Sequence, residues 1–172
     1  MWYNTLMVLK DNPKAYAILG CALRVHTILG CGFVESAYAD ALEIEFRKAC
    51  IPYVREDGIR VFYDGQPLAT NYRADFTCFN RAYIVELKAI RCITKVEWAQ
   101  VIHYMRATRI PSALLLNFGR PKLQYETFDL DRLPTSSVLG ERLPAAKPQI
   151  QIPVESVGGE SSVRSVDHSA ER

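Results

Sequence analysis

Three stretches of the chain repeat their apolar residues with the period of an amphipathic α-helix. The first follows Pro13, a residue type favoured at the first helical position, and runs to Gly30. The second covers residues 33–50 and the third covers 95–108. Thr94 is followed three residues later by a glutamate, which is the spacing of a capping box. The pattern predicts two consecutive helices near the N-terminus and one further along.

Between the second and third predicted helices, the pattern changes to short β-rich runs separated by turn residues. These runs cover 53–56, 59–63, 72–79 and 82–90, and two more, 113–118 and 122–128, follow the third helix. The element order ααββββαββ predicts an α/β fold with helices packed around one sheet.

The C-terminal part of the chain differs from the rest in composition and in hydrophobic pattern. Beyond Leu133 it is rich in Ser and Pro, shows no sustained periodicity, and has no aromatic residue. We therefore predict a folded domain over 1–133 and a disordered C-terminal tail over 134–172.

Composition narrows the function classes. The chain has 172 residues, and 21 Lys and Arg against 19 Asp and Glu give a net charge of +2. This excludes a strongly basic coat, so any nucleic acid must be bound at a local site. No apolar run reaches the roughly 20 residues that span a bilayer. There is also no secretory-signal pattern, so we expect no membrane association and a cytoplasmic protein.

The cysteines exclude two further classes. The chain has 5, an odd number, and none forms a C-x-x-C pair. This fits neither a disulfide framework nor a zinc or iron–sulfur site. We expect reduced thiols, most of them buried.

Two acidic residues face each other in the predicted hairpin around Asn80 and Arg81. A two-residue or a four-residue loop gives the same register, which places Asp75 opposite Glu86. Lys88 lies two residues after Glu86 and projects from the same face of its strand. The residues around this pair are apolar, as expected inside a sheet.

Like charges across a strand pair are destabilising, so this arrangement needs compensation. A hard divalent cation such as Mg²⁺, which prefers carboxylate and water ligands, supplies it. A lysine beside the cation can activate its water or stabilise charge on a phosphate. The alternative is a surface hairpin in which Lys88 only screens Glu86.

Several blocks in the same order give the chain a family resemblance. GFVESAY at 32–38 fits the pattern GxxExxY, within the longer block 25-VHTILGCGFVESAYADALEIEF-46. YRADF at 72–76, IVELKA at 84–89, QVIHY at 100–104 and LLLNFG at 114–119 follow. The chain resembles the GxxExxY branch of the PD-(D/E)XK nuclease superfamily over about residues 15–128, although Ala74 stands where the superfamily name has Pro. The resemblance implies a restriction-endonuclease-like core with a central mixed sheet flanked by helices.

The resemblance also implies roles for individual residues. Asp75 and Glu86 would bind Mg²⁺ or Mn²⁺ together with the backbone carbonyl of Leu87. Lys88 would activate water or stabilise the phosphate. Glu35, in the first turn of the second helix, would be a further metal-binding acid, or it would only complement the helix N-terminus.

The third helix carries two more candidates, Gln100 and Tyr104, which match the Q-x-x-x-Y element of the lambda-exonuclease-like branch of the superfamily. Their spacing puts both on one helix face, where they would orient the substrate or a catalytic side chain. The alternative places Tyr104 in the core and Gln100 in solvent. His26 is interpreted as a structural histidine, and Tyr38 is expected to pack behind Glu35 or to hydrogen-bond a site carboxylate.

The sequence thus favours a metal-dependent phosphodiesterase with a D…E-x-K site acting on nucleic acid, with DNA preferred. One alternative is a non-catalytic nucleic-acid-binding or protein-binding module on the same fold. Another is an unrelated domain in which Glu35, Asp75 and Glu86 never converge. A homodimer and a partner protein are both left open.

Overall fold

The computed structural model describes residues 12–133. The predicted tail and residues 1–11 lie outside the described residues. None of the described helices is long and apolar enough to cross a membrane.

Three α-helices form where the periodicity predicts them, and they are α1 (Pro13–Leu29), α2 (Glu35–Lys48) and α3 (Lys95–Thr108). Side chains cap two of them. The Asn12 side chain accepts a hydrogen bond from the Ala15 N–H at the start of α1. At the start of α3 the predicted capping box is confirmed, because Thr94 and Glu97 bond each other's backbone N–H groups.

The described strands form one five-stranded sheet and a small hairpin. In chain order they are β1 (Tyr53–Ile59), β2 (Phe62–Tyr63), β3 (Gln66–Pro67), β4 (Tyr72–Cys78), β5 (Tyr83–Lys88), β6 (Ser112–Asn117) and β7 (Gln124–Asp129). The sheet order is β1-β4-β5-β6-β7, and β2 pairs only with β3. β5 and β6 are parallel, since α3 connects them, and the other neighbours are antiparallel.

The predicted α/β class with a mixed central sheet is confirmed, but one part of the predicted element order is wrong. Strand β1 continues through the predicted turn at Asp57-Gly58 and ends at Ile59. The predicted strand 59–63 is therefore split, and its end forms the β2–β3 hairpin outside the main sheet. The described chain has one strand more than predicted, because two-residue strands leave no periodic pattern.

The two faces of the sheet bury separate apolar clusters. On one face, Phe76, Val85 and Leu114 pack with residues of α1 and α2. On the other face, Ile84 and Leu115 pack with residues of α3. Because β5 is covered on both faces, all its residues except the last are buried, as expected for a central strand.

A charged network ties α2 to the edge strand β1. Glu43 accepts hydrogen bonds from Arg55 at 2.7 Å and from the Tyr53 hydroxyl at 2.9 Å, and it pairs with Arg47 at 3.0 Å. Hydrogen bonds from Arg47, then Arg55 and Tyr53, lower the pKa of Glu43 to about 2. The ionised carboxylate therefore stabilises the folded state.

The chain segments after β5 and β6 touch at their backbones. Asn117 is fully buried, and its Oδ1 accepts hydrogen bonds from the N–H groups of Ile90 and Gly119, each at 3.0 Å. A Cβ at Gly119 would lie 2.7 Å from the carbonyl carbon of Ala89 and closer still to the backbone of Ile90. Only glycine fits here, so this contact fixes the end of β5 directly after Lys88.

The prediction of mostly buried cysteines is wrong. All five cysteines lie within the described residues and are free thiols, but only Cys21 and Cys78 are buried. Cys31, Cys50 and Cys92 lie in turns and loops at or beyond the ends of helices and strands, where apolar periodicity carries no information about burial.

We expect Glu43→Gln to lower the free energy of unfolding at pH 7 by about 1 kcal/mol, the upper range for a partly exposed ion pair. Because the folded-state pKa lies below the ordinary value of 4.5, the loss should shrink as pH falls from 4.5 toward 2. Urea unfolding at pH 7 and pH 3 measures both values. Glu56→Gln, which removes an exposed pair with Arg73, is the control and should change little. An equal loss at both pH values would contradict the network's role.

We expect Gly119→Ala to destabilise the domain by about 1–3 kcal/mol, the usual cost of overpacking. Gly58→Ala is the matched control, because a Cβ at Gly58 meets no atom within 4 Å and the residue has an ordinary φ. Thermal unfolding of the two variants checks the expectation. Equal melting temperatures would show that the backbone after β5 can shift to make room for a Cβ without loss of stability.

Candidate active site

Glu86 lies near the end of β5, and its side chain is buried between the sheet and α3. The residue is 2% exposed. Its Oε1 accepts hydrogen bonds from Lys88 Nζ at 2.9 Å and from Gln100 Nε2 at 2.8 Å. Its Oε2 is also buried but has no hydrogen-bond partner among the described residues. A buried anionic oxygen without a partner is costly, so a cation or a donor at Oε2 would stabilise this carboxylate.

Asp75 stands across from Glu86 on β4. The predicted register is confirmed for the pairs of Phe76 with Val85 and Cys78 with Tyr83, and its continuation would set Asp75 opposite Glu86. Asp75 Oδ2 accepts a hydrogen bond from the Leu87 N–H at 2.7 Å. The carboxylate thus takes a backbone donor of the facing strand at the point where the β4–β5 ladder stops.

Burial raises the proton affinity of both carboxylates of this pair. Burial raises the pKa of Glu86 to about 7, and the charge of Asp75 adds to this rise. Burial also raises the pKa of Asp75. A positive charge between the two groups would reverse these effects by favouring both ionised forms.

Lys88 is the cation nearest to this pair, and its side chain is 15% exposed. Burial alone would lower its pKa, but the carboxylates of Glu86, Glu35 and Asp75 outweigh burial and raise it. The ammonium group therefore keeps its charge in the site as it stands. It can neutralise one of several carboxylates but not all of them.

Glu35 reaches the same place from the other side of the sheet. It occupies the first turn of α2, as predicted. Burial raises the pKa of Glu35, and the charge of Asp75 adds to this rise. The Lys88 ammonium and a hydrogen bond from the Ala89 N–H oppose the rise. Glu35 therefore lies close enough to the end of β5 for its charge to interact with those of Lys88 and Asp75, while its convergence with Asp75 and Glu86 on one metal ion stays a prediction.

Tyr38 holds the turn that positions Glu35. Its hydroxyl donates to the Gly30 carbonyl at 2.9 Å and accepts from the Phe33 N–H at 3.2 Å. Its ring stacks on Phe118 at 4.6 Å. Tyr38 packs behind the turn, and these backbone groups, rather than a site carboxylate, are its hydrogen-bond partners.

Gln100 and Tyr104 face the site from α3. The Gln100 amide donates both to Glu86 and, at 3.0 Å, to the Tyr104 hydroxyl. Tyr104 is buried, which raises its pKa. The alternative with Gln100 in solvent is wrong, because the helix face places its amide on a buried carboxylate.

Two remaining candidates have structural contacts. His26 bonds the Arg120 carbonyl through Nε2 at 2.8 Å, a contact of the kind expected for a structural histidine, and that interpretation stays a prediction. The Leu87 side chain is buried in the α1 and α2 cluster, while its N–H is bound by Asp75. A metal-binding role for the Leu87 carbonyl stays a prediction.

Glu56 is a carboxylate that the sequence did not single out. It lies on β1 between residues that pair with the two neighbours of Asp75, and it has a φ of 52°. Burial is the main cause of the raised pKa of Asp75, and the Leu87 N–H and the Lys88 charge oppose it. The charge of Glu56 is a smaller contribution that raises this pKa further. Finding it would have required the register of β1 against β4, which the long connection between them does not set.

The residues present fit a divalent cation. Within residues 12–133, no three His, Cys, Asp or Glu side chains form a ready metal cage. Mg²⁺, however, is commonly held by one or two carboxylates while water and substrate oxygens complete its shell. Asp75 and the unpartnered oxygen of Glu86 supply that pair, with Glu35 close by.

This arrangement can do specific chemistry. Hard oxygen donors, one lysine and one oriented amide meet at the end of a central strand, which suits a cation and an anionic, phosphate-like ligand. None of the groups is a thiol or a histidine, so the donor set does not favour a soft metal.

Comparison with known proteins agrees with this geometry. A family model described as the PD-(D/E)XK nuclease superfamily matches residues 12–128, which is more than half of the chain. No curated protein and no solved structure matches the chain at a significant level. The matched segment includes all the acidic residues, the lysine and the α3 pair described above. The chain therefore belongs to the PD-(D/E)XK nuclease superfamily.

Proposed function

We propose that the protein is a metal-dependent nuclease that hydrolyses phosphodiester bonds in DNA. The observation that carries this proposal is the buried, unpartnered Oε2 of Glu86 beside the carboxylate of Asp75. A folded protein rarely keeps a buried carboxylate oxygen unsatisfied unless something else binds it. Members of this superfamily generally use divalent metals, which would satisfy that oxygen.

In this proposal, Asp75 and Glu86 hold Mg²⁺ or Mn²⁺, and Glu35 and the Leu87 carbonyl are further ligands. The bound cation would polarise the phosphoryl group and lower the pKa of an attacking water. Lys88 keeps its charge in the metal-free site, which favours a role in stabilising negative charge on the phosphate over one as a base.

The α3 pair has a positioning role in this proposal. Gln100 and Lys88 hold Oε1 of Glu86, so Oε2 is left without a hydrogen-bond partner. Tyr104 orients the Gln100 amide in turn. A carboxylate fixed in this way cannot rotate to satisfy its free oxygen elsewhere, which keeps the metal position open.

The GxxExxY branch and a cytoplasmic location belong to the same proposal. The branch is supported by the turn of residues 30–33, in which Gly32 has a φ of 118° and Tyr38 bonds the backbone. A glycine is needed at such a φ, and the tyrosine fixes the direction in which Glu35 enters α2. The free thiols support a reducing compartment.

We expect Asp75→Ala, Glu86→Ala and Lys88→Ala each to reduce Mg²⁺-dependent or Mn²⁺-dependent cleavage of DNA by about 100-fold or more. The measurement is the cleavage rate on linear duplex, single-stranded and branched DNA, with and without metal. Asp131→Asn is the matched control, since this exposed carboxylate follows β7 at the end of the sheet opposite to Lys88 and should leave the rate unchanged.

Activity that survives both carboxylate changes would overturn the assignment of the site. Folded wild-type protein that binds DNA but never cleaves it would instead favour the non-catalytic binding module. Circular dichroism of each variant separates loss of chemistry from loss of fold.

We expect Mg²⁺ to raise the melting temperature of the wild type by a few degrees, because a ligand that binds only the folded state stabilises it. Glu86→Gln should abolish this shift. In metal-free buffer the same variant should melt no lower than the wild type, because the neutral amide carries neither the cost of a buried charge nor the repulsion from Asp75. Differential scanning fluorimetry in EDTA and in Mg²⁺ gives both comparisons. A wild type without any metal-dependent shift would contradict the metal site.

A further inference from the structure

A groove of about 880 Å³ runs along α3 beside the candidate active site. One wall is a face of α3 that includes Val96 and Ala99, and the opposite wall includes Val61 and Tyr72. Its size is that of a ligand site rather than of a packing defect. The fold leaves these apolar side chains partly open, with Val96 73% exposed and Tyr72 42% exposed.

The groove is continuous with the active site. Gln100 and Tyr104 line it and also form the hydrogen-bond chain that ends on Glu86. The Tyr72 ring meets the Tyr104 ring edge-on with centroids 6.1 Å apart. The groove therefore extends from the two α3 side chains of the Glu86 hydrogen-bond chain to Tyr72.

The charged side chains among the described lining residues of the groove are all positive. Its charged lining residues are Lys95 and Arg106, and no acidic side chain is among its described lining residues. At the rise of an α-helix these two residues are about 16 Å apart along α3. A polyanion lying in the groove would meet a cation toward each end and apolar walls between them.

We propose that this groove binds unpaired nucleotides next to the bond that is cut, so that the substrate is a single-stranded segment of nucleic acid. This inference rests on the proposed nuclease function. Tyr72 provides a face for base stacking, and Lys95 and Arg106 contact the backbone phosphates.

The occupant is an unpaired strand because of the combination of apolar walls and cations. A duplex presents phosphates and groove edges, while its base faces are stacked inside, so apolar walls would gain nothing from it. Proteins that bind single strands combine aromatic stacking platforms with a positive path for the backbone. Tyr72, Lys95 and Arg106 reproduce that combination in one groove.

The test is fluorescence anisotropy with a labelled single-stranded oligonucleotide of mixed sequence and with the same strand in a blunt duplex. EDTA prevents cleavage, and the full chain is used. We expect the single strand to bind more tightly than the duplex. Tyr72→Ala should weaken single-strand binding by about tenfold or more, the loss associated with one base–aromatic stack.

Two further variants make the result specific. Tyr63→Ala removes an even more exposed tyrosine, 76% exposed, that does not line the groove, so binding should be unchanged. Val96→Asp places a negative charge in the groove at the N-terminal turn of α3, where an acidic residue favours the helix. It should weaken single-strand binding without lowering the melting temperature, so the test does not depend on Tyr72→Ala folding well.

The outcomes separate this inference from the proposed function. Equal affinity for duplex and single strand, unaffected by Tyr72→Ala and Val96→Asp, would overturn the groove assignment, even if metal-dependent cleavage is observed. No binding of either oligonucleotide would also overturn it and would favour a protein partner for the groove. Selective single-strand binding that depends on Tyr72, without cleavage in any metal, would support the groove and reject the nuclease.

Discussion

The burial of Glu86 beside Asp75 constrains the arrangement of everything around them. Two carboxylates facing each other across a strand pair repel, and burial adds the cost of lost hydration. The compensating donors come from three places, which are the Leu87 backbone, Lys88 on the same strand and Gln100 on α3. The register of β4 against β5 and the placement of α3 across the sheet are therefore coupled to the chemistry of one residue pair.

The elements behind the site are held by backbone contacts as much as by side chains. Asn117 binds the N–H groups of the two segments that meet after β5 and β6, and Gly119 permits their close approach. Tyr38 likewise fixes the turn before α2, because its hydroxyl bonds the backbone of Gly30 and Phe33. Each of these residues acts through the main chain, so the acids and Lys88 are presented from strand and helix ends with little freedom.

Local signals in the sequence predicted the helices, the capping box and the hairpin register. A short loop fixes which residues of two strands face each other, and this made the pairing of Asp75 with Glu86 visible without a structure. The β2–β3 hairpin, Glu56 opposite Asp75 and the groove beside Tyr72 depend on contacts between distant segments. No periodicity encodes such contacts, so sequence analysis could not locate them.

The parallel pairing of β5 with β6 also has a consequence for folding. The β4–β5 hairpin and the α1–α2 pair form between neighbouring segments, whereas β6 can join β5 only after the whole α3 crossover has closed, a step with a high entropic cost. Gln100 lies in that crossover, so Glu86 gains its amide partner late in folding. A partly folded chain would therefore lack the ordered contact between Glu86 and Gln100 on which the proposed metal site depends.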